Sequence, residues 1–331
     1  MSMYASNLMR LGLLLGAACA ASTQAEEFGG FLFATFRGES TPMTEQVYFM
    51  VSQDGRSWKA LNDGRPVLVS TVGERGVRDP YILRSADGSR FFLLATDLSI
   101  HLNHDWNRAQ TAASQSIVVW ESEDLVNWSE PRLVKVAPDN AGCTWAPEAI
   151  YDQQQQEYIV FWASKTADDD FAKQRIWAAR TKDFKTFGEP YVYIEKPTTV
   201  IDTTIVNEEG VYYRFTKDEK HKAITMERSG DGQVWNEVDG FSLAKLTGYE
   251  GPTCFMIERP QDGKSAKWCL LLDWYSRGRG YQAYETDDLS QGKFVKAPPM
   301  DFPFEPVRHG TVIPITRDEM ARLVDKWGPL E

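Results

Sequence analysis

Cysteine is scarce in this chain, with four residues in 331, at positions 19, 143, 254 and 269. No disulfide-dense small-domain pattern is present, so the fold must be held by a core rather than by cross-links. Past residue 25 only Cys143, Cys254 and Cys269 remain, and an odd number leaves one thiol unpaired. Cys254 and Cys269 fall on adjacent expected strands, where a disulfide or two buried thiols would both fit. Helical periodicity is nearly absent too; only Arg317 to Lys326 reads as a helix. Positive charge is outweighed, with 36 Lys plus Arg against 47 Asp plus Glu, which argues against nucleic acid and anionic lipid as partners. Long apolar runs are missing apart from Leu11 to about Ala21, and that run falls short of the about 20 residues a membrane helix needs. Also missing are a Gly-x-Ser-x-Gly elbow, a phosphate loop and a dinucleotide fingerprint, which disfavours serine esterases, nucleotide enzymes and dehydrogenases.

The one apolar run has its own meaning. Arg10 precedes it and Ser22-Thr23-Gln24-Ala25 follows, which is the layout of a cleaved leader over residues 1–25. A lipoprotein site at Cys19 lacks the bulky residue that usually stands before such a cysteine. The expectation is a secreted or periplasmic protein, with a single domain over residues 27–331 and no membrane attachment.

What the chain has in quantity is short β-branched and aromatic runs between Gly, Asp and Asn turns. One turn recurs: Asp54-Gly-Arg-Ser-Trp58, Asp124-Leu-Val-Asn-Trp128, Asp183-Phe-Lys-Thr-Phe187 and Asp231-Gly-Gln-Val-Trp235. Each sets an aromatic four residues after Asp, and Asp288 to Phe294 is a copy stretched by two. Successive Asp residues lie 70, 59, 48 and 57 residues apart, the spacing of a four-stranded blade with variable loops. The Asp would close a hairpin turn and the aromatic would fill the gap beneath the next blade. Five copies predict an all-β, five-bladed β-propeller. Strands at Phe31–Phe36, Val47–Val51 and Trp58–Leu61 would combine with a last strand at Thr311–Ile315, so that both chain ends share the closing blade and no sheet edge stays free.

In a propeller the innermost strand of each blade begins near the central axis. Those starts read Arg78-Asp79-Pro80, Trp145-Ala146-Pro147-Glu148, Ile201-Asp202-Thr203-Thr204, Tyr249-Glu250-Gly251-Pro252 and Arg308-His309-Gly310-Thr311. Four carboxylates and a histidine would thus occupy what reads as one structural position repeated around the ring. Acids crowded in a pocket raise the pKa of at least one of them. A protonated and an ionised carboxyl flanking an anomeric carbon are what glycosidic hydrolysis requires.

These starts, in this order on five blades, resemble glycoside hydrolase family 43, and the resemblance covers essentially the whole chain after the leader. It implies an inverting, exo-acting glycosidase on plant-type polysaccharide or its oligosaccharides, with α-L-arabinofuranosidase activity ahead of β-xylosidase or another furanosidase or galactosidase. It implies Asp79 as general base, Asp202 as the residue tuning and orienting the acid, and Glu250 as general acid. His309 would be the axial histidine, beside a water or a structural calcium reached through water; no cofactor is required. Trp145, Glu148, Arg308 and His309 are the expected substrate-binding residues, with Arg78 and Arg214 as further candidates. Glu148 stands where Asp is common in the family, and about fifty residues precede Asp79 where few are usual. The insertion at Ser99–Ser116, with His101 and His104, is read as a loop over the pocket rim. The rival of another class is a non-catalytic carbohydrate-binding propeller, which would be expected to lack the base or the acid. A monomer is expected.

Overall fold

The computed structural model describes residues 27–261 and 263–328. The expected leader over residues 1–25 lies outside them. Five four-stranded antiparallel sheets make up the fold. The chain first lays down β1 (Phe28–Thr35), β2 (Tyr48–Ser52) and β3 (Lys59–Ala60). Blade I follows with β4 (Val77–Arg84), β5 (Phe91–Asp97), β6 (Ser116–Ser122) and β7 (Arg132–Lys135). Helix α1 (Trp106–Thr111) sits inside it, so the Ser99–Ser116 insertion is not the plain loop expected; Asp105 caps it by accepting from the Asn107 and Arg108 amides. Blade II is β8 (Trp145–Asp152), β9 (Glu157–Ser164), β10 (Arg175–Thr181) and β11 (Tyr191–Ile194). Blade III is β12 (Val200–Glu208), β13 (Val211–Asp218), β14 (Ala223–Ser229) and β15 (Asn236–Glu237). Blade IV is β16 (Glu250–Glu258), β17 (Lys267–Asp273), β18 (Tyr281–Thr286) and β19 (Val295–Lys296). The chain returns as β20 (Gly310–Thr316), which pairs with β1 to complete blade V in the order β20-β1-β2-β3, and ends in α2 (Arg317–Trp327).

The strands are apolar on both faces because each blade is buried on both. Alternate residues of β5 serve two interfaces: Leu93 joins a cluster with Leu32 and Phe49 of blade V, while Phe92 and Leu94 join Tyr158 and Val160 of blade II. Ile159 and Phe161 then meet Ile201 and Ile205 of blade III, Phe215 meets Trp268 and Leu270 of blade IV, and Leu271 meets Phe31 and Phe33 of blade V. The same alternation settles the cysteines. Cys254 lies opposite Leu270 and Phe255 opposite Cys269, so the two thiols point to opposite faces of blade IV. All three described cysteines are free and buried.

The recurring turn is built as its chemistry predicts. Asp124 Oδ1 accepts from the amides of Val126 and Asn127 at 3.0 and 2.8 Å, and Asp54, Asp183 and Asp231 repeat the arrangement. A Ser or Thr two residues earlier completes each turn (Ser52, Ser122, Thr181, Ser229), donating to the Asp carboxylate. Trp128 of blade I stands edge-on to Phe49 of blade V at 6.0 Å, so the turn aromatic does bridge neighbouring blades. Helix α2 adds a second closure. Thr316 and Glu319 form a reciprocal capping box, and Glu319 takes both guanidinium nitrogens of Arg84 from blade I at 2.6 and 2.8 Å.

Candidate active site

The inner strands β4, β8, β12, β16 and β20 lie side by side as a closed ring, and all five start at the same end of it. Four of them open with a β-bulge, and in each a residue takes the left-handed conformation: Asp79 (φ 50°), Ala146 (φ 48°), Asp202 (φ 47°) and Gly251 (φ 53°). Non-glycine residues adopt this region at a cost of roughly 1–2 kcal/mol each, and such strain collects at functional sites. The bulge also corrects the sequence alignment of the acids. Only Asp79 and Asp202 share a structural position; Glu250 stands one residue before its bulge residue, and Glu148 two residues after. At the fourth start the equivalent residue must be Gly251, because a Cβ there would lie 2.7 Å from Cγ of His309.

His309 is the hub. It is buried, and its Nδ1 lies 3.5 Å from Oδ1 of Asp79. Burial alone would favour the neutral ring, but the hydrogen bond to Asp79 and the charges of Asp202 and Asp79 overturn this and lift His309 to about 9, so the imidazole is a cation at neutral pH. Asp79 is its counterpart. Burial would raise this carboxyl, yet the His309 hydrogen bond and charge, the Arg78 charge and the Thr96 hydroxyl hold it below the usual carboxylate range. Thr96 Oγ1 donates to Asp79 Oδ2 at 2.9 Å and accepts from the Ala146 amide at 2.8 Å. Asp202 accepts from the Gly251 amide at 3.0 Å, and burial, together with the nearby Glu250 and Asp79 charges, raises it to about 6 against the pull of His309.

Glu148, expected as a substrate-binding residue, lies deep in the ring. It is 3 % exposed, and its Oε2 is buried without a hydrogen-bond partner. Desolvation raises it to about 8, so it is a neutral acid at pH 7. Trp145, three residues earlier, is the part of β8 that reaches the rim, half-buried and edge-on to Trp106 of α1 at 6.4 Å. Arg78 is held by Glu39 and Glu45 at 3.2 Å each, with its guanidinium over Phe36 and Trp106 at 4.7 and 5.5 Å. The insertion carrying α1 is anchored through fully buried Glu45, which accepts from the Ser99 hydroxyl at 2.7 Å and from the Ile100 and His101 amides at 2.8 and 3.2 Å. Arg214 is not brought to the site; it is buried against Glu227 at 2.7 Å and stacks on Trp235.

Glu250 is held by two cations. Arg308 donates to Oε1 at 3.0 Å and Lys217 to Oε2 at 2.8 Å. Arg308 also donates to buried Asp273 at 2.5 Å. Lys217 and Asp273 were missed in the sequence, although register explains both. They lie on second strands, opposite Ile201 and Glu250, at the position that Thr96 occupies in blade I opposite Arg78. From there each reaches the start of the following blade. Polar residues at the ends of these second strands were the available signal.

Among the described residues no group of three or more His, Cys, Asp or Glu is placed to hold a metal, and the His309 ring is turned to Asp79. No helix among the described residues is long and apolar enough to cross a membrane.

Comparison with known proteins agrees with this geometry. A family model described as a probable glycosyl hydrolase domain, of the family 43-related type, matches residues 26–321. An α-L-arabinofuranosidase of Bifidobacterium longum subsp. longum is 32 % identical over 317 residues, covering 82 % of this chain and 29 % of that protein, so the chain spans less than a third of this relative. Among solved structures, an exo-β-1,3-galactanase from Phanerochaete chrysosporium aligns over 80 % of this chain and 53 % of its own, at 14 % identity and a TM-score of 0.50. One from Clostridium thermocellum aligns over 73 % and 54 %, at 12 % identity and the same TM-score. At such identities the two structures speak for the fold alone. By its family match, its five closed blades and the acids at one end of their axis, the chain belongs to the glycosyl hydrolase family 43-related proteins.

Proposed function

We propose that this protein is an exported, inverting, exo-acting glycoside hydrolase that removes terminal α-L-arabinofuranosyl units from plant-type polysaccharide or its oligosaccharides. The observation that carries the reading is the convergence of Asp79 and Asp202 on His309, with Glu250 next to Asp202, at one end of the ring. Asp79, kept ionised, is the general base: it takes a proton from water as the oxygen bonds to the anomeric carbon. Glu250 is the general acid: it gives its proton to the departing oxygen as the old C–O bond breaks. One displacement leaves the anomeric centre inverted. Asp202 orients the acid side by holding the Gly251 amide next to Glu250. Trp145, and Trp106 of the anchored α1 insertion, offer apolar faces to a sugar ring, and exo action is the reading we attach to that insertion. Arabinose is preferred over xylose or galactose because the Bifidobacterium relative carries that activity in its name.

The test is a panel of p-nitrophenyl glycosides with NMR observation of the first-formed anomer, Glu250→Gln run in parallel. Release from the arabinofuranoside with inversion, abolished by Glu250→Gln, is expected. Release only from the xyloside or galactoside moves the substrate within the family. A folded protein that binds polysaccharide and cleaves nothing is the non-catalytic binding propeller, and it overturns the reading.

A further inference from the structure

A general acid needs one oxygen free to carry a proton to the leaving group, yet both oxygens of Glu250 have a cationic partner. On the Oε1 side Arg308 is shared with Asp273. On the Oε2 side Lys217 is 2 % exposed, lies 2.7 Å from Glu219 and stands 4.3 Å above the Tyr275 ring. Such a lysine has no solvent to share its charge with, so its ammonium is divided between two carboxylates and one aromatic face. Glu219 is in turn paired with Lys222 at the exposed end of the same turn. The charged groups acting on Glu250 are Lys217 at the end of β13, Arg308 ahead of β20, Asp273 from β17 and Asp202 from β12, with Glu219 and Tyr275 behind Lys217 and His309 beside Asp202.

Resting on the reading of Glu250 as the acid, we propose that Lys217 is a positioning residue for leaving-group protonation: it fixes the Oε2 side of Glu250 and, by yielding to Glu219, releases that oxygen to hold a proton. Its task is separate from sugar binding, because the side chain is buried and its ammonium is taken up by Glu250 and Glu219. Removing this cation leaves Glu250 with Arg308 alone. The carboxyl then keeps its proton to higher pH but loses its aim. Removing Glu219 acts in the opposite sense, since the full charge of Lys217 then falls on Glu250.

The experiment measures kcat/KM against pH for Lys217→Met, Lys217→Arg and Glu219→Gln on the p-nitrophenyl glycoside that the parent protein cleaves and on its dinitrophenyl counterpart. The dinitrophenyl group departs with little help from an acid. General acid–base help is worth about 10²–10⁴-fold, so losing its aim in Lys217→Met is expected to cost about tenfold or more on the poorer leaving group. The cost should shrink on the better one, the basic limb of the profile should move to higher pH, and Lys217→Arg should recover most of the loss. Glu219→Gln is expected to move the basic limb to lower pH, and it serves alone if Lys217→Met does not fold. Equal losses on both leaving groups with unmoved limbs, or no loss at all, overturn the inference. Glu250→Gln on the same substrates separates the two levels: if it keeps parental activity on the poorer leaving group, the reading of Glu250 as acid fails; if it is inactive there while Lys217→Met behaves as the parent, only the role of Lys217 fails.

Discussion

Glu148 and His309 put an acid and a cation side by side in a dry part of the ring, and their protonation should be visible in stability. Glu148 is raised to about 8 from an ordinary carboxylate value near 4.5. The unfolded chain therefore gives up this proton near pH 4.5 and the folded chain only near pH 8. The stability this represents is present below about 4.5 and is lost as pH rises toward 8. Glu148→Gln cannot lose that proton, so its melting temperature relative to the parent should climb by several degrees between pH 5 and pH 8. A flat difference would show that Glu148 is ionised in the folded protein. His309 has the same sign, with stability full below about 6.5 and lost as pH passes about 9. At Gly251 the constraint is steric. Gly251→Ala forces a Cβ against the His309 ring at a φ of +53°, so at least tenfold of kcat/KM should be lost together with several degrees of melting temperature. Unchanged activity there would mean that the His309 position does not matter to the site.

The hairpin turns and the inner-strand bulges are the elements that repeat. Four of the five turns use an Asp carboxylate to gather two amides, while Asp288 gathers one, and replacing such an acceptor should cost about 1 kcal/mol. Asp124→Ala is therefore expected to lower the melting temperature by a few degrees while leaving kcat and KM unchanged, because the turn lies at the outer side of blade I. A change in kcat/KM beyond twofold would contradict that separation. The bulges do the reverse: they turn Asp79 and Asp202 toward the axis and leave the outer strands untouched. The turns were legible because they are local, five residues with one donor pattern. The bulges were not, because a bulge is defined only by the strand it pairs with. Reading the four acids as one repeated position followed from that blindness, and the Ala146 and Gly251 positions show where the repeat actually lies.

On the scale of the whole molecule, closure is the decisive feature. β20 is the inner strand of blade V and sits between β16 and β4, so the ring exists only when the last strand has paired with the first. Removing everything from Gly310 onward would expose β1, uncover the clusters holding Phe33 and Leu32, and free Arg84 from Glu319. Loss of the cooperative melting transition is expected for that truncation, measured by circular dichroism. A truncated chain that still melts as one unit would show that the four complete blades stand without closure.

From the sequence by itself came the number of blades, the shared closing blade, and the identity of Asp79, Asp202, Glu250 and His309 as the residues at the axis, since five copies of one turn and five similar strand starts are patterns along the chain. Tertiary structure alone decided what those residues are chemically. Glu148 is a buried acid raised well above the ordinary carboxylate range, Arg214 is paired with Glu227 inside a blade, and Lys217 and Asp273 reach the site from second strands. The physical reason is that burial and charge depend on neighbours brought from other blades, tens of residues away in the chain, and a carboxyl group's proton is governed by those neighbours rather than by its own place in the sequence.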